Sequence, residues 1–314
     1  MHKTPANHDY RQLDWDTELE HHLRQLIRLS VLEDLDQYHD WTTLALVDHE
    51  IEASAQMVSQ QQGIVAGLEA IPVILDEMNT QLTWTPAAND GDPVTAGHQL
   101  GELDGRGRDL LVVERPLLNL VARLSGIATL TSQFVGKVAG SSARVYDTRK
   151  TTPGWRRLEK YAVRCGGGHN HRSGLFDGIL IKDNHLAIMN GENSSNPRAA
   201  LEQVRTFIDD YRRDNNVPAD LLVEIEVDTL EQLANVLPAR PDIVLLDNMS
   251  LEMLREAVDC RDQLSPDTQL EASGGITLER IEEIAQSGVE RISVGALTHS
   301  AISLDIGLEV RGSR

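Results

Sequence analysis

The sequence predicts an α/β protein in two parts, a strand-rich N-terminal region followed by a parallel sheet with crossover helices. Three observations predict it. After Gly140, six short β-branched or aliphatic runs alternate with helical patterns, the signature of parallel strands joined by helices. Between about Leu44 and Val113, apolar runs are instead cut by Gly, Pro and Asn-Asp-Gly turn chemistry. The length of 314 residues suits two ordinary domains, or one barrel with an appended unit.

Residues 17–33 place Leu19, Leu23, Leu26, Ile27 and Leu29 at mostly helical intervals, which predicts an amphipathic helix. The runs QMVSQ, GIVAG, LTWTP, QLGEL and LLVVE then read as strands, with Asn89-Asp90-Gly91 as the clearest turn. Residues 114–138 read as one long, largely buried helix in which Pro116 is tolerated because it falls in the first turn. The later strand candidates are ARVYD, GILIK, LLVEIEV, DIVLL, QLEAS and RISVG, with candidate helices at 155–164, 198–214, 229–236, 250–264 and 277–287. The second of these helices has Asn196 as N-cap, Pro197 at the first position, and Leu201, Val204, Phe207, Ile208 and Tyr211 on one face. Six strands are fewer than the eight of a closed barrel, so an incomplete barrel and an open doubly wound sheet both stay open.

A formal charge of −20, a pI near 4.9 and an aromatic content of 4% argue against nucleic acid, which needs a broad basic footprint and stacking surface. Eight of the 29 Lys and Arg residues nonetheless fall between Arg144 and Arg172. A cationic patch in an acidic chain points to a small, multiply anionic ligand. No run approaches the roughly 18 apolar residues of a membrane span. The start, MHKTPANHDYRQLDWD, has no apolar stretch after its charges, so neither signal peptide nor anchor is expected. Two cysteines, Cys165 and Cys260, are too few for a disulfide framework, and a reducing, cytoplasmic setting is expected.

In parallel α/β folds the chemistry sits at the carboxyl ends of strands. The six runs end in Thr148, Arg149 and Lys150; in Lys182; in Glu224 and Glu226; in Asp247 and Asn248; in Ser273-Gly274-Gly275; and in Gly295. Exposed strand ends are polar in any protein, but here cations come first, acids next and glycines last. The late glycines suit a phosphate cradle of backbone N–H groups. Glu226 and Asp247 suit a hard cation such as Mg²⁺ carried on a polyphosphate. Glu224 and Glu226 share one face of their strand, and period alone does not choose between them. Zinc at Cys165, His169 and His171 fits none of the common structural spacings, and the neighbouring Arg172 would repel a metal and attract a carboxylate.

With these residues in hand the chain resembles the quinolinate phosphoribosyltransferase family. The matching motifs are ERPLLNLVARLSGIAT (114–129), DTRKTTPGWRRLEKYAVRCGGGHNHRSGLFDGILIKDNH (147–185), VEIEVDTLEQL (223–233), DIVLLDNMS (242–250), EASGGI (271–276) and ISVGALTHSAISLDIGLE (292–309). The N-terminal match is looser, with His39 in EDLDQYHDWTT where the family frequently has glycine. A polar insertion over residues 185–220, containing NGENSSNP, reads as an exterior extension.

The resemblance implies an incomplete (β/α) TIM-like barrel at 126–297. It also implies an N-terminal α+β open-faced sandwich domain at 1–125, joined by residues 298–314. It implies transfer of phosphoribosyl from phosphoribosyl pyrophosphate to quinolinate with decarboxylation, giving nicotinate mononucleotide, pyrophosphate and CO₂ on the route to NAD. Thr148, Arg149, His171, Arg172 and Lys182 would bind substrate, chiefly the dicarboxylate, with Arg115 reaching in from the neighbouring subunit of a homodimer; a hexamer stays open. Lys150, Glu226 and Asp247 would be catalytic, the two acids also holding Mg²⁺ through phosphoribosyl pyrophosphate. Ser273, Gly274 and Gly295 would lie at the 5′-phosphate. A monoacid such as nicotinate is the nearest rival substrate, and a non-catalytic anion-binding barrel is the rival of another class.

Overall fold

The six β-branched runs form one parallel sheet, as their alternation with helices predicts. The computed structural model describes residues 9–190, 196–214 and 221–313. Residues 191–195 of the polar turn NGENSSNP, and the first eight residues of the N-terminal reading, lie outside the described residues. In chain order the first elements are α1 (Thr17–Leu35), α2 (Trp41–Leu46), β1 (Glu52–Ser59), β2 (Gly63–Ile64), α3 (Ala70–Glu77), β3 (Leu82–Pro86), β4 (Pro93–Val94), β5 (Gln99–Arg106) and α4 (Gly107–Val138). There follow β6 (Arg144–Tyr146), α5 (Arg156–Cys165), β7 (Ile179–Ile181), α6 (Asp183–Asn190), α7 (Pro197–Asp214), β8 (Val223–Val227), α8 (Leu230–Val236) and β9 (Ile243–Asp247). The last are α9 (Leu251–Leu264), β10 (Gln269–Ser273), α10 (Ile281–Ala285), β11 (Arg291–Ser293), α11 (Ala296–His299) and β12 (Ile306–Ser313).

Two compact units are present, and neither is one continuous stretch. The first comprises residues 1–12, 134–149 and 169–295, and the second residues 13–133, 150–168 and 296–314. In the second unit, β1 pairs antiparallel with both β5 and the C-terminal β12, and β5 pairs with β3, so the order is β12-β1-β5-β3. Helix α1 starts at Asp16, whose carboxylate caps the Leu19 N–H at 2.8 Å, and it buries Leu19, Leu23 and Ile27.

In the first unit the strand order is β6-β11-β10-β9-β8-β7. Every neighbour is consecutive in sequence except β6 and β11, the first and last, which pair with each other. A doubly wound sheet reverses direction at a switch point. This order has no reversal and wraps end to start, so it is the incomplete barrel. The seam lies between β6 and β7. There the free edge of β6 is taken by His169, whose N–H donates to the Val145 carbonyl at 2.8 Å and whose carbonyl accepts from the Asp147 N–H at 3.0 Å.

Several element readings need correction. LLVVE is helical: α4 begins at Gly107, so Pro116 lies inside the helix rather than in its first turn. An interior proline forfeits one backbone bond and costs roughly 3 kcal/mol. The burial of Val113, Leu117, Leu120, Val121 and Leu124 along α4 offsets that cost. The predicted 277–287 helix shrinks to α10, and α2, α3 and α6 were not expected from the sequence. On α7, Asn196 does cap Ala199 at 3.3 Å and Leu201 and Ile208 are buried. Phe207 and Tyr211 are exposed, and stack on each other at 5.3 Å. Among the described residues no helix is long and apolar enough to cross a membrane, and Cys165 and Cys260 are free thiols.

Candidate active site

The parallel sheet brings ten of the predicted residues into one unit: Thr148, Arg149, His171, Arg172, Lys182, Glu226, Asp247, Ser273, Gly274 and Gly295. Thr148 and Arg149 follow β6, Lys182 follows β7, Glu226 and Asp247 close β8 and β9, Ser273 closes β10, and Gly295 follows β11. These are the carboxyl ends of the strands, where a parallel barrel exposes backbone and side chains together. Lys150 and Arg115 belong to the second unit. The Lys150 carbonyl accepts from the Thr298 hydroxyl at 2.7 Å and its side chain is exposed. Arg115 is exposed on α4 and pairs with Glu114 at 3.4 Å.

The loop after the seam is held by Asp147, which is fully buried. Its carboxylate accepts from the His171 N–H at 2.9 Å and from the Asn170 side-chain amide at 2.7 Å. Asp147 thus fixes the backbone that carries His171 and Arg172, both at most 6% exposed. Burial holds the Arg172 guanidinium below its ordinary value, and the positive charge of Arg149 pushes the same way. Two cations that act on each other in a partly dry site favour an anionic ligand.

Two neighbouring strands carry the acids. Glu226 is paired with the Lys182 ammonium. Burial raises its carboxyl above the usual range, Lys182 pulls it back, and the negative charges of Asp247 and Asp183 add to the rise. Asp247 accepts from the Asn248 side-chain amide at 2.8 Å. Hard carboxylate oxygens from Glu226 and Asp247 that repel each other fit a divalent cation that retains water or phosphate as its other ligands. Glu224, two residues earlier on the same strand, is engaged differently: it is fully buried and accepts from the Tyr10 hydroxyl at 2.6 Å.

At the end of β10 the chain turns through Gly274 at φ +91° and Gly275 at φ +58°. A Cβ on Gly274 would sit 2.2 Å from the Asn248 Oδ1, so this position has no room for a side chain. A cavity of about 80 Å³ adjoins the turn, lined by Asn248, Ser273, Gly274, Gly275 and Arg280 among others. Arg280 is a cation that the strand-end reading missed, because it lies seven residues past the strand.

The barrel interior holds a second polar cluster, which the sequence did not reveal. The His171 Nε2 lies 3.1 Å from Glu224 and 3.4 Å from Glu271, and Arg291 donates to Glu271 at 2.8 Å and to Asp9 at 3.0 Å. Burial opposes the charged imidazole, but Glu224 and Glu271 outweigh it and push the His171 pKa up to about 9. The Arg172 N–H meets Nδ1 at 2.8 Å, which favours a bare Nδ1 and a neutral ring. Glu224 and Glu271 pull the ring toward the imidazolium, while a proton on Nδ1 would face the Arg172 N–H head-on. In both forms Nε2 carries a proton. The trio of His171, Glu224 and Glu271, although close enough to hold a metal, is therefore a hydrogen-bonded cluster neutralised by Arg291.

Comparisons with known proteins identify the family. Residues 40–125 match the model of the quinolinate phosphoribosyl transferase N-terminal domain, and residues 127–309 that of its C-terminal domain. A nicotinate-nucleotide pyrophosphorylase [carboxylating] of Mycobacterium leprae is 40% identical over 291 residues, 91% of this chain and 96% of that protein. A probable enzyme of the same name from Methanothermobacter thermautotrophicus is 38% identical over 92% of this chain and 98% of its own. The structure of the nicotinate-nucleotide pyrophosphorylase from Francisella tularensis superposes with a TM-score of 0.84 at 33% identity, covering 96% of this chain and all of that one. Family-model matches over residues 40–125 and 127–309 and relatives 38–40% identical over most of their length lead to one conclusion: the chain belongs to the quinolinate phosphoribosyltransferase family.

Proposed function

We propose that the chain transfers phosphoribosyl from phosphoribosyl pyrophosphate to quinolinate and decarboxylates the product, giving nicotinate mononucleotide, pyrophosphate and CO₂. The observation that carries the reading is the family match over residues 40–125 and 127–309, together with Arg149, His171 and Arg172 on the chain that follows β6, groups suited to a small dianion. Arg149, His171 and Arg172 hold the two carboxylates, with Thr148 and Lys182 at the rim. Arg115 completes the pocket from the neighbouring subunit of a homodimer. Ser273, Gly274 and Gly295 take the 5′-phosphate, with backbone N–H groups as donors.

The ring nitrogen attacks C1 of the ribose as the bond from C1 to the pyrophosphate oxygen breaks, and pyrophosphate leaves with the bonding pair. Positive charge builds at C1, so no strong base is needed, and Lys150 stabilises the negative charge that develops on the leaving oxygen. Glu226 and Asp247 would hold Mg²⁺, which when bound neutralises pyrophosphate charge. Once the nitrogen is quaternary, the bond from the ring to the adjacent carboxylate breaks. CO₂ leaves, the electron pair stays on the ring carbon, and a proton from water fills it. A dry pocket around that carboxylate favours its loss. A reducing, cytoplasmic setting belongs to the same proposal.

The test is an assay of quinolinate labelled in the carboxylate next to nitrogen, with phosphoribosyl pyrophosphate and Mg²⁺. One CO₂ and one pyrophosphate per nicotinate mononucleotide is the expected result. Turnover of nicotinate without CO₂, or no pyrophosphate release at all, would refute the reading.

A further inference from the structure

The barrel has a polar plug at the end opposite the proposed site. The segment Asp9–Gln12 lies against the starts of the strands: Asp9 meets Arg144 at the head of β6 and Arg291 at the head of β11, and Tyr10 clusters with Leu222 and Ile243 ahead of β8 and at the head of β9. A filler for a barrel end needs only apolar bulk. Tyr10 does more, because its contacts converge on the chain segment that carries His171 and Arg172.

Its ring centroid lies 4.6 Å from that of the His171 imidazole, and its hydroxyl donates to the same Glu224 oxygen that faces the His171 Nε2. Underneath, the Tyr10 ring rests on Gly178, where a Cβ would meet its Cε1 at 2.6 Å. The Gly178 carbonyl in turn accepts from Arg172 Nη1 at 3.2 Å. Gln12 clamps the backbone between them: its carbonyl oxygen accepts from the Asn170 N–H at 2.8 Å, and its amide donates to the Asn170 carbonyl at 3.2 Å. Asp9 is fixed from the other side by the Tyr146 hydroxyl at 3.0 Å.

We propose that Asp9–Gln12 is a positioning plug for the reaction: Tyr10 and Gln12 hold His171 and Arg172 in the orientation that receives the dicarboxylate, without touching substrate. The proposal rests on the assignment of His171 and Arg172 to quinolinate. It makes the N-terminal segment a determinant of quinolinate affinity although it lies at the wrong end of the barrel to reach any ligand.

The experiment compares the full-length wild type with Tyr10→Phe, Tyr10→Ala, Gln12→Ala and Arg172→Ala. For each, initial rates are measured with quinolinate varied at saturating phosphoribosyl pyrophosphate and the reverse, together with the thermal midpoint. Loss of the hydroxyl bond to Glu224 in Tyr10→Phe or of the clamp in Gln12→Ala should raise the quinolinate KM about threefold, and loss of the ring contact as well in Tyr10→Ala about tenfold or more. The KM for phosphoribosyl pyrophosphate should stay within about twofold throughout. A general structural role would instead lower the thermal midpoint and move both KM values together, and that result overturns the proposal. So does an unchanged quinolinate KM in Tyr10→Phe and Gln12→Ala, the two variants that decide the matter if Tyr10→Ala does not fold. Arg172→Ala separates the two levels. If it raises the quinolinate KM while the plug variants leave it alone, only the plug fails; if it leaves the KM unchanged, the pocket assignment fails and the plug with it.

Discussion

Gly274→Ala tests the phosphate turn at the level of single atoms. Gly274 sits at φ +91°, and its ideal Cβ would lie 2.2 Å from Asn248 Oδ1, 2.5 Å from its Cγ and 3.0 Å from its backbone nitrogen. Two costs follow, and they appear in different measurements. An alanine held at positive φ destabilises the fold by about 1–2 kcal/mol, seen in urea unfolding. The clash is relieved only by moving Asn248, whose N–H is bonded to the Ser273 carbonyl at 2.9 Å and whose amide is bonded to Asp247. That displacement should remove at least one donor to phosphate, worth about 1.5–3 kcal/mol, or roughly 10- to 150-fold in kcat/KM for phosphoribosyl pyrophosphate. Gly275→Ala is the control, because Gly275 has positive φ but nothing within 4 Å of its Cβ. It should show the stability loss with kcat/KM within about threefold of wild type. Initial-rate kinetics on both variants decide the matter. If Gly274→Ala keeps the wild-type KM for phosphoribosyl pyrophosphate, or if Gly275→Ala matches its loss, the steric reasoning is wrong.

Three further outcomes are expected. Lys150→Ala should lower the maximal rate about 100-fold or more with both substrates saturating, since its charge is assigned to the leaving group and not to binding, and a rapid-quench assay of pyrophosphate release measures this. Arg291→Ala should cost about 3–5 kcal/mol in urea unfolding, because it strands Glu271 in a dry site, whereas the exposed Arg198–Glu202 pair should be worth under about 1 kcal/mol by the same method. His171, raised from 6.5 to about 9 in the fold, contributes stability that is complete below pH 6.5 and declines as pH rises through 9, by about 3 kcal/mol in all. Urea unfolding of wild type and His171→Gln across pH 6–10 checks the sign: the wild-type advantage should shrink with rising pH, and a constant or growing advantage refutes the upward shift of His171.

The strands of the barrel were legible because each is a short β-branched run bounded by turn residues, and such runs rarely have another use. LLVV at the start of α4 and AIPVIL in α3 were not, since a short, wholly apolar run reads equally as buried strand or buried helix. For the candidate site, position along the strands singled out Arg149, Lys182, Glu226, Asp247 and Ser273. It could not find Tyr10, Glu271 or Arg291: Tyr10 is far from the other two in the chain, and Glu271 and Arg291 face each other only because β10 pairs with β11. Glu224, Glu271 and Arg291 nonetheless lie within strands of the barrel sheet, and a charge in a strand buried on both faces has to meet its opposite inside the barrel.

The open seam explains how two adjacent buried cations arise in this barrel. In a closed barrel, interior side chains come from regular strands and alternate inward and outward, so two adjacent residues never both face the axis. At the seam the edge of β6 is covered by a single bridging residue, His169, and the chain that follows is irregular. Freed from the strand period, His171 and Arg172 are buried side by side, the first against Glu224 and Glu271 and the second within the field of Arg149. Irregular backbone inside a protein has to be held by hydrogen bonds it does not make with itself. Asp147 supplies them from β6 and Gln12 from below. A complete barrel would have satisfied that backbone more cheaply, but it would have split the two adjacent cations between opposite faces of a strand.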